Sequence, residues 1–351
     1  MTSRLDAAGI ICSVKNRLAV LFALLVLVPA VHAQVHRRPS LSPPPQPVGC
    51  PPLATLVLGY YSADVEVDET HVFFTDDLGN IYRMPKGSPA FTNPELLGNV
   101  PGFVNVMALD ATSIYIITID DFDGTDGSLW SLPKSGGTAK LLAASVLTPY
   151  RLAVDATSVY WISVGTPTSQ SFLADGRVER MAKDGTGRKT LASNLNVPTA
   201  VASDGTNVYF CETSISSSNH NAGLRSVPVN GGTVKKLTDG TPVVALVLRD
   251  SDIFFSVIDF FAGGELLRMN KSSTTPTSLL KNLDFAVSLG VIDDRLYFLN
   301  SDDVETLEYI LVTGGDRHRV INNDFFTEEF ALDECSVYTI DGGASVVRTP
   351  R

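Results

Sequence analysis

Carboxylates are the side chains of this sequence whose types and spacing best suit chemistry, and one group lies in the segment DDFDGTDG, residues 120–127. Asp121, Asp123 and Asp126 are interleaved there with two glycines, as in loops that offer carboxylate oxygens to Ca²⁺. The segment lacks the glutamate that closes an EF-hand loop at its twelfth position, because residue 132 is leucine. The pattern therefore predicts either a Ca²⁺ site or a solvated acidic rim.

A second group of charged residues appears in an alignment of seven similar segments of the chain, each of which contains an aspartate. The position four residues before that aspartate is apolar in four segments, and it is Asp64, Arg151 and Glu329 in the other three. Two close carboxylates hold a metal ion or share a proton, whereas Arg151 could neutralise them as a structural ion pair. Both interpretations stay open, and further candidate ligand-binding residues nearby are Glu66, Asn105 and Glu328.

Familiar catalytic patterns are absent from the sequence. It contains no HExxH, no CxxC pair, no phosphate-binding glycine motif and no recognisable Ser-His-Asp set. The four histidines after residue 33 are scattered over a tether and loops: His36, His71, His220 and His318. These absences favour binding over catalysis.

The elements that must position these residues are seven repeats. Each repeat has an apolar strand, an aspartate, a short turn, and then a second strand that usually carries an aromatic pair. A third strand and a Gly- or Ser-bearing turn follow, and a fourth strand completes most repeats. The aspartates recur every 40 to 49 residues: Asp68, Asp110, Asp155, Asp204, Asp250, Asp293 and Asp333. Four antiparallel strands in each unit of this length predict an all-β, seven-bladed β-propeller. We expect each aspartate to cap its turn through backbone N–H groups.

The two ends of the repeat array complement each other. The seventh repeat stops after three strands at Arg351, and an orphan strand, LATLVLG at 53–59, precedes the first repeat. Because an unpaired edge invites aggregation, we expect the N-terminal strand to complete the last blade. That arrangement brings Cys50 towards Cys335, and we predict a disulfide between them. Cys211 is then an unpaired, buried apolar residue.

The aromatic segments carry a family resemblance. Val159-Tyr160-Trp161 and the FFTD of residues 73–76 resemble the YWTD and TolB-like propellers, and more closely the exported bacterial β-propeller repeat proteins. The resemblance covers residues 53–351 and implies a rigid disc that binds proteins or small molecules, with no single shared activity. This chain departs from the family in two ways: Trp161 is the only Trp at its repeat position, and YWTD families usually have six blades.

The N-terminus predicts export. Basic residues precede an apolar run from Leu18 to Ala30, and small residues place a cleavage site near Ala33. The run is shorter than the roughly 20 residues that span a membrane, so we expect no membrane insertion. The predicted organisation is a signal peptide at 1–33, a Pro-rich linker at 34–49 and one propeller domain at 50–351. The mature protein would be secreted, periplasmic or extracellular.

Charge narrows the range of partners. After residue 33 the chain has 24 basic and 37 acidic residues, a net charge of −13, which repels nucleic acid and anionic membranes. We therefore expect a monomeric binding or scaffold module for a protein or small-molecule partner. The alternative is a Ca²⁺-dependent, lactonase-like hydrolase or lyase that uses the carboxylates at the mouth of the propeller channel. Ca²⁺ is the only cofactor that the sequence suggests.

Overall fold

In the computed structural model, residues 50–60, 62–120, 125–168, 172–213, 222–258, 263–300, 306–322, 329–341 and 345–351 are described. The regular structure of these residues consists of 28 β-strands. No helix in this part of the chain has the length and apolar character needed to cross a membrane.

The strands form seven antiparallel four-stranded sheets, the blades of a propeller, and the first six follow chain order. Blade one has β2 (Val65–Val67), β3 (His71–Thr75), β4 (Asn80–Pro85) and β5 (Glu95–Asn99). Blade two has β6 (Phe103–Leu109), β7 (Ser113–Ile119), β8 (Gly127–Pro133) and β9 (Lys140–Ala143). Blade three has β10 (Pro149–Val154), β11 (Ser158–Ser163), β12 (Gly176–Ala182) and β13 (Lys189–Leu195).

The next three blades repeat this order from the innermost strand outwards. Blade four has β14 (Pro198–Ser203), β15 (Asn207–Glu212), β16 (Gly223–Pro228) and β17 (Lys235–Lys236). Blade five has β18 (Val243–Arg249), β19 (Asp252–Val257), β20 (Gly264–Asn270) and β21 (Thr277–Leu283). Blade six has β22 (Ala286–Ile292), β23 (Arg295–Asn300), β24 (Thr306–Leu311) and β25 (His318–Asn322).

The seventh blade joins the two ends of the repeat array. It contains β26 (Phe330–Leu332), β27 (Ser336–Asp341) and β28 (Ser345–Pro350), and β1 (Ala54–Leu58) pairs with β28 as its outermost strand. Neighbouring innermost strands contact one another around the ring, including β26 with β2. The predicted fold class, an all-β seven-bladed propeller closed by the N-terminal strand, is confirmed.

The disulfide links the N-terminal segment to the same blade. Cys50 and Cys335 are bonded, with their Cα atoms 5.2 Å apart, as the sequence predicted. Cys335 lies in the turn between β26 and β27, and Cys50 lies just before β1. Cys211 is buried in β15 and takes no part in a disulfide. The covalent bond therefore fixes the added strand to the blade that it completes.

The aromatic pair of each repeat explains how the blades pack. Tyr160 and Trp161 are both fully buried in β11, and neighbouring residues of a strand point to opposite faces of the sheet. Trp161 therefore packs with residues of blade two and Tyr160 with residues of blade four. The VYW pattern is the signature of a strand that is buried on both faces between two neighbouring blades.

The repeated aspartates cap the turn between the first and second strands in five blades. In each of these, one carboxylate oxygen accepts two backbone N–H groups of the turn: Asp68, Asp110, Asp155, Asp204 and Asp333. The prediction is wrong for Asp250 and Asp293, which lie one position later in turns of the same length and adopt φ of 50°. Arg249 pairs with Asp252 as Asp110 bonds to Ser113, so Arg249 occupies the capping position and Asp250 is the first of the two turn residues, where φ is positive.

Candidate functional site at the channel mouth

The disc has two faces with different connections. The turn face carries the turns between first and second strands, and the loop face carries the longer connections between second and third strands. The channel mouth is the opening of the central channel on the loop face, where the innermost strands begin. Two neighbouring innermost strands, β2 and β26, have only three residues, whereas the other five have six or seven. Non-strand backbone at residues 62–64 and at Glu329 therefore lines the mouth between blades seven and one.

An ion pair reaches across this mouth. The Nη2 atom of Arg151, on β10 of blade three, lies 2.9 Å from Oε1 of Glu329 in blade seven. Both side chains are mostly buried, with 20% and 22% of their surfaces exposed. The guanidinium also lies over the ring of Tyr150, 4.1 Å from its centroid, and Ser288 Oγ donates to Glu329 Oε2 over 3.4 Å. The arrangement corresponds to the ion-pair interpretation of the sequence for Arg151 and Glu329.

Asp64 and Asn105 join neighbouring blades. The Asp64 carboxylate is 3% exposed, and its two oxygens accept the backbone N–H groups of Val65 at 2.8 Å and Met107 at 2.6 Å. The Asn105 amide donates to the carbonyl oxygen of Pro149 over 3.1 Å. Both side chains bond backbone of the next blade, so they hold the rim of the mouth in place. Their polar atoms are directed at protein groups.

Glu66 is an acidic residue of the mouth whose pKa is raised. It lies on β2 and is partly buried. Burial raises the pKa of the Glu66 carboxyl well above its usual range, and the negative charges of Asp64 and Glu329 raise it further, while Lys134 opposes the shift. Glu66 consequently retains its proton at a higher pH than a solvated glutamate does. A protonated carboxyl of this kind donates hydrogen bonds.

The described residues include only part of the predicted Ca²⁺ sites. Asp121, Asp123 and Glu328 lie outside the described residues. Asp126 accepts the backbone N–H of Gly127 over 3.0 Å. At the mouth, Asp64 is engaged by backbone and Glu329 by Arg151. Within the described residues no three His, Cys, Asp or Glu side chains are grouped so as to hold a metal ion. A Ca²⁺ site in the segment 120–127 therefore stays a prediction.

Three exposed leucines stand on the loop face. Leu78 lies in the β3–β4 turn, Leu173 in the β11–β12 connection and Leu58 at the end of β1. Their exposed fractions are 70%, 50% and 64%. Sequence reasoning missed them because isolated leucines outside the repeat pattern carry no positional signal. The shortening of β2 and β26 was also missed, although it shapes the mouth.

Comparisons with known proteins support the fold alone. No protein-family description matches the chain, and no curated protein matches its sequence. An oligogalacturonate lyase in complex with manganese is similar in structure, with a TM-score of 0.65 and 12% identity over 89% of this chain and 96% of that one. Virginiamycin B lyase from Staphylococcus aureus gives 0.64 and 12%, over 85% and 99%. A nidogen/laminin complex gives 0.50 and 17%, over 71% and 93%. All three identities are low, so these similarities carry the propeller architecture and no activity.

Proposed function

We propose that the protein is an exported binding module that engages a protein partner through its loop face around the channel mouth. The observation that carries the proposal is the local loss of sevenfold regularity. At this one place a repeated apolar position holds Arg151 and Glu329, and two neighbouring innermost strands are shortened. Departures from a regular pattern concentrate at functional sites, because a ring of equivalent blades needs no such variation for its stability.

The chemistry of the loop face favours a partner that combines apolar and basic groups. Leu58, Leu78 and Leu173 offer exposed anchors of the kind that become buried at the centre of interfaces. The chain as a whole carries a net charge of −11, which speeds encounter with positively charged partners. The scaffold is rigid, since each blade is packed against both neighbours, so little ordering opposes binding.

Export is part of this proposal. The apolar run Leu18–Ala30 and the cleavage site near Ala33 support a signal peptide, and a disulfide is typical of proteins that fold in oxidising compartments. The mature protein would begin at Gln34, which mass spectrometry of the secreted product would establish. An intact N-terminus at Met1 on that product contradicts the proposal.

A second candidate is the Ca²⁺-dependent, lactonase-like hydrolase or lyase. The raised pKa of Glu66 favours it, since a carboxyl with this property next to other acids suits general acid catalysis. The two lyases among the similar structures support the compatibility of the fold with such chemistry. At the mouth, however, Asp64 accepts backbone N–H groups and Glu329 pairs with Arg151. These contacts leave few oxygen ligands for Ca²⁺ among the described residues.

The binding proposal is tested by a matched pair of double variants. Proteins captured by the mature chain from the producing cell's envelope and medium are purified, and their affinity is measured by calorimetry. We expect Leu78→Ser with Leu173→Ser to raise the dissociation constant by about tenfold or more. The reason is that both leucines become buried against the partner in the complex, and serine cannot make these contacts. The control, Leu141→Ser with Leu311→Ser, changes exposed leucines on the outer rim and the turn face, and it should stay within about twofold.

Equal losses in the two double variants, or none in either, contradict the binding proposal. The same calorimeter tests the alternative through a titration of millimolar Ca²⁺ into the protein. Binding of Ca²⁺ with a rise in melting temperature, together with lactone hydrolysis that Glu66→Gln abolishes, would favour the enzyme.

A further inference from the structure

A hydrogen bond on the turn face identifies an equivalent residue in every blade. The residue directly after the third strand donates its backbone N–H to a carbonyl oxygen in the turn between the first and second strands of the same blade. This bond recurs in all seven blades of the described structure. The residues at this position are Lys86, Lys134, Lys183, Val229, Lys271, Val312 and Arg351.

Five of these side chains are cations, and each of them pairs with the repeated aspartate of the preceding blade. We call this ion pair between neighbouring blades a seam latch. Arg351 pairs in this way with Asp293. The Nζ–Oδ2 distances of the lysine latches are 3.0 Å for Lys86–Asp333, 2.9 Å for Lys134–Asp68, 2.8 Å for Lys183–Asp110 and 3.2 Å for Lys271–Asp204.

Two seams have valine in place of the cation. Val229 leaves the seam between blades three and four without a latch, and Asp155 there accepts the hydroxyl of Ser203 over 2.8 Å instead. Val312 leaves the seam between blades five and six without a latch, and Asp250 is largely exposed. The latches are therefore distributed unevenly around the ring.

Every seam with a short innermost strand has a latch, whereas only two of the four seams between long innermost strands have one. All three seams that involve a three-residue strand, β2 or β26, have a latch: six to seven, seven to one, and one to two. Both seams without a latch lie between strands of six or seven residues. Short innermost strands offer fewer contacts to the neighbouring blade, so an added ion pair contributes a larger share of the attachment there.

We propose that the latches of blades seven, one and two stabilise the conformation of the channel mouth from the opposite face of the disc. Lys134 illustrates the mechanism. Its ammonium pairs with Asp68 directly after β2, and it lies 5.2 Å from the ring centroid of Phe73 on β3. Because β2 is the short strand that carries Glu66, the latch fixes the end of the strand whose other end forms the mouth.

The structure supplies a matched control for this proposal in Lys271. That lysine pairs with Asp204 and lies 5.8 Å from the ring centroid of Tyr209, and its side chain is also mostly buried. It differs from Lys134 in that both innermost strands of its seam are long. Lys134→Met and Lys271→Met therefore remove the same ion pair at a short-strand seam and at a long-strand seam.

Amide hydrogen exchange measured by mass spectrometry on the full mature chain tests the proposal. We expect Lys134→Met to speed exchange in Val65–Val67 by about tenfold, since partly buried pairs contribute on this scale, and Lys271→Met to change exchange in β14 by less than about twofold. Lys134→Arg should restore protection of β2. The proposal is overturned if Lys271→Met loosens β14 as much as Lys134→Met loosens β2, or if β2 is unaffected.

A second comparison covers the case in which Lys134→Met does not fold. Lys86→Met removes the latch between blades seven and one, and we expect faster exchange in β26 and β2. Val312→Arg adds a cation opposite Asp250, in the geometry that Arg351 adopts towards Asp293, and it should leave exchange in both short strands unchanged. If Lys86→Met and Val312→Arg change amide exchange in β26 and β2 by the same amount, the proposal is also overturned.

Discussion

A single carboxylate, that of Asp204, contacts four groups in two neighbouring blades. One oxygen accepts the backbone N–H groups of Thr206 and Asn207, and the other meets the hydroxyl of Tyr209 and the ammonium of Lys271. Burial together with the nearby carboxylate raises the pKa of Tyr209 to about 12. At the residue scale the recurring aspartates that cap turns are thus structural.

Acid should weaken the ring through these aspartates. Burial raises the pKa of Asp68, but hydrogen bonds from the Thr70 N–H and from Lys134 outweigh it and lower the pKa to about 2. Because the folded pKa lies below the unfolded value of about 4, the ionised carboxylate stabilises the fold above that pH, and the contribution is lost as the pH falls towards 2. We expect this loss to reach about 1 kcal/mol, because solvent screens the ion pair with Lys134.

Urea unfolding between pH 2 and pH 7 measures this effect. The free energy of unfolding of the wild type should fall more steeply below about pH 4 than that of Asp68→Asn, which has no carboxylate to titrate. Parallel curves for the two proteins would show that Asp68 makes no such contribution.

At the scale of elements, β1 has the most consequential position. It is separated in sequence from the rest of blade seven by the whole ring, yet it pairs with β28 from Ala54–Arg348 to Leu58–Ser345. The Arg348 side chain donates to the carbonyl oxygens of Pro52 and Lys86, and so ties the N-terminal segment to blade one. Without β1, the backbone of β28 would be an unpaired sheet edge.

Truncation distinguishes this strand from the segment before it. Deletion of residues 50–60 should lower the melting temperature by roughly 10 °C or more, because it exposes the edge of β28 and removes apolar contacts of blade seven. Deletion of 34–47 should leave the melting temperature nearly unchanged. Cys50→Ser in the full chain separates the loss of the disulfide from the loss of the strand. Equal melting temperatures for the two deletions would contradict the role given to β1.

At the scale of the whole molecule, closure is both covalent and non-covalent. The Cys50–Cys335 disulfide joins residues 285 positions apart, so it restricts the unfolded chain far more than a bond within one hairpin does. The same closure brings blades seven and one together, and the mouth lies at their junction. The stability of the protein and the geometry of the candidate site therefore both depend on the closure of the ring at blade seven.

Reduction of the disulfide should accordingly destabilise the protein. We expect Cys50→Ser with Cys335→Ser to lower the free energy of unfolding by about 4 kcal/mol, in line with the closure of a long loop. Chemical denaturation of the wild type with and without reductant gives the measurement. The double variant should be insensitive to reductant, and sensitivity in that variant would assign the effect to another group.

The fold, the number of blades, the closing strand and the disulfide could all be predicted from the amino-acid sequence. These depend on patterns that recur at short range: alternating apolar residues, a capped turn and an aromatic pair in each repeat. It also indicated that charged residues break the pattern at the mouth. Asp250 and Asp293 misled it, because each lies one position later in its turn than the capping aspartates do, at a residue with positive φ.

The pairing of charged residues between distant blades depends on how the whole ring is assembled. Arg151 and Glu329 lie in blades three and seven, and the seam latches pair residues of neighbouring repeats. No local pattern encodes such contacts, since they arise from the placement of whole blades around the channel. The repeat pattern also did not show that β2 and β26 pair with β3 and β27 of their own blades over only three residues. The repeats therefore determine the propeller fold, and the assembly of the blades into a ring determines which residues meet at the candidate site.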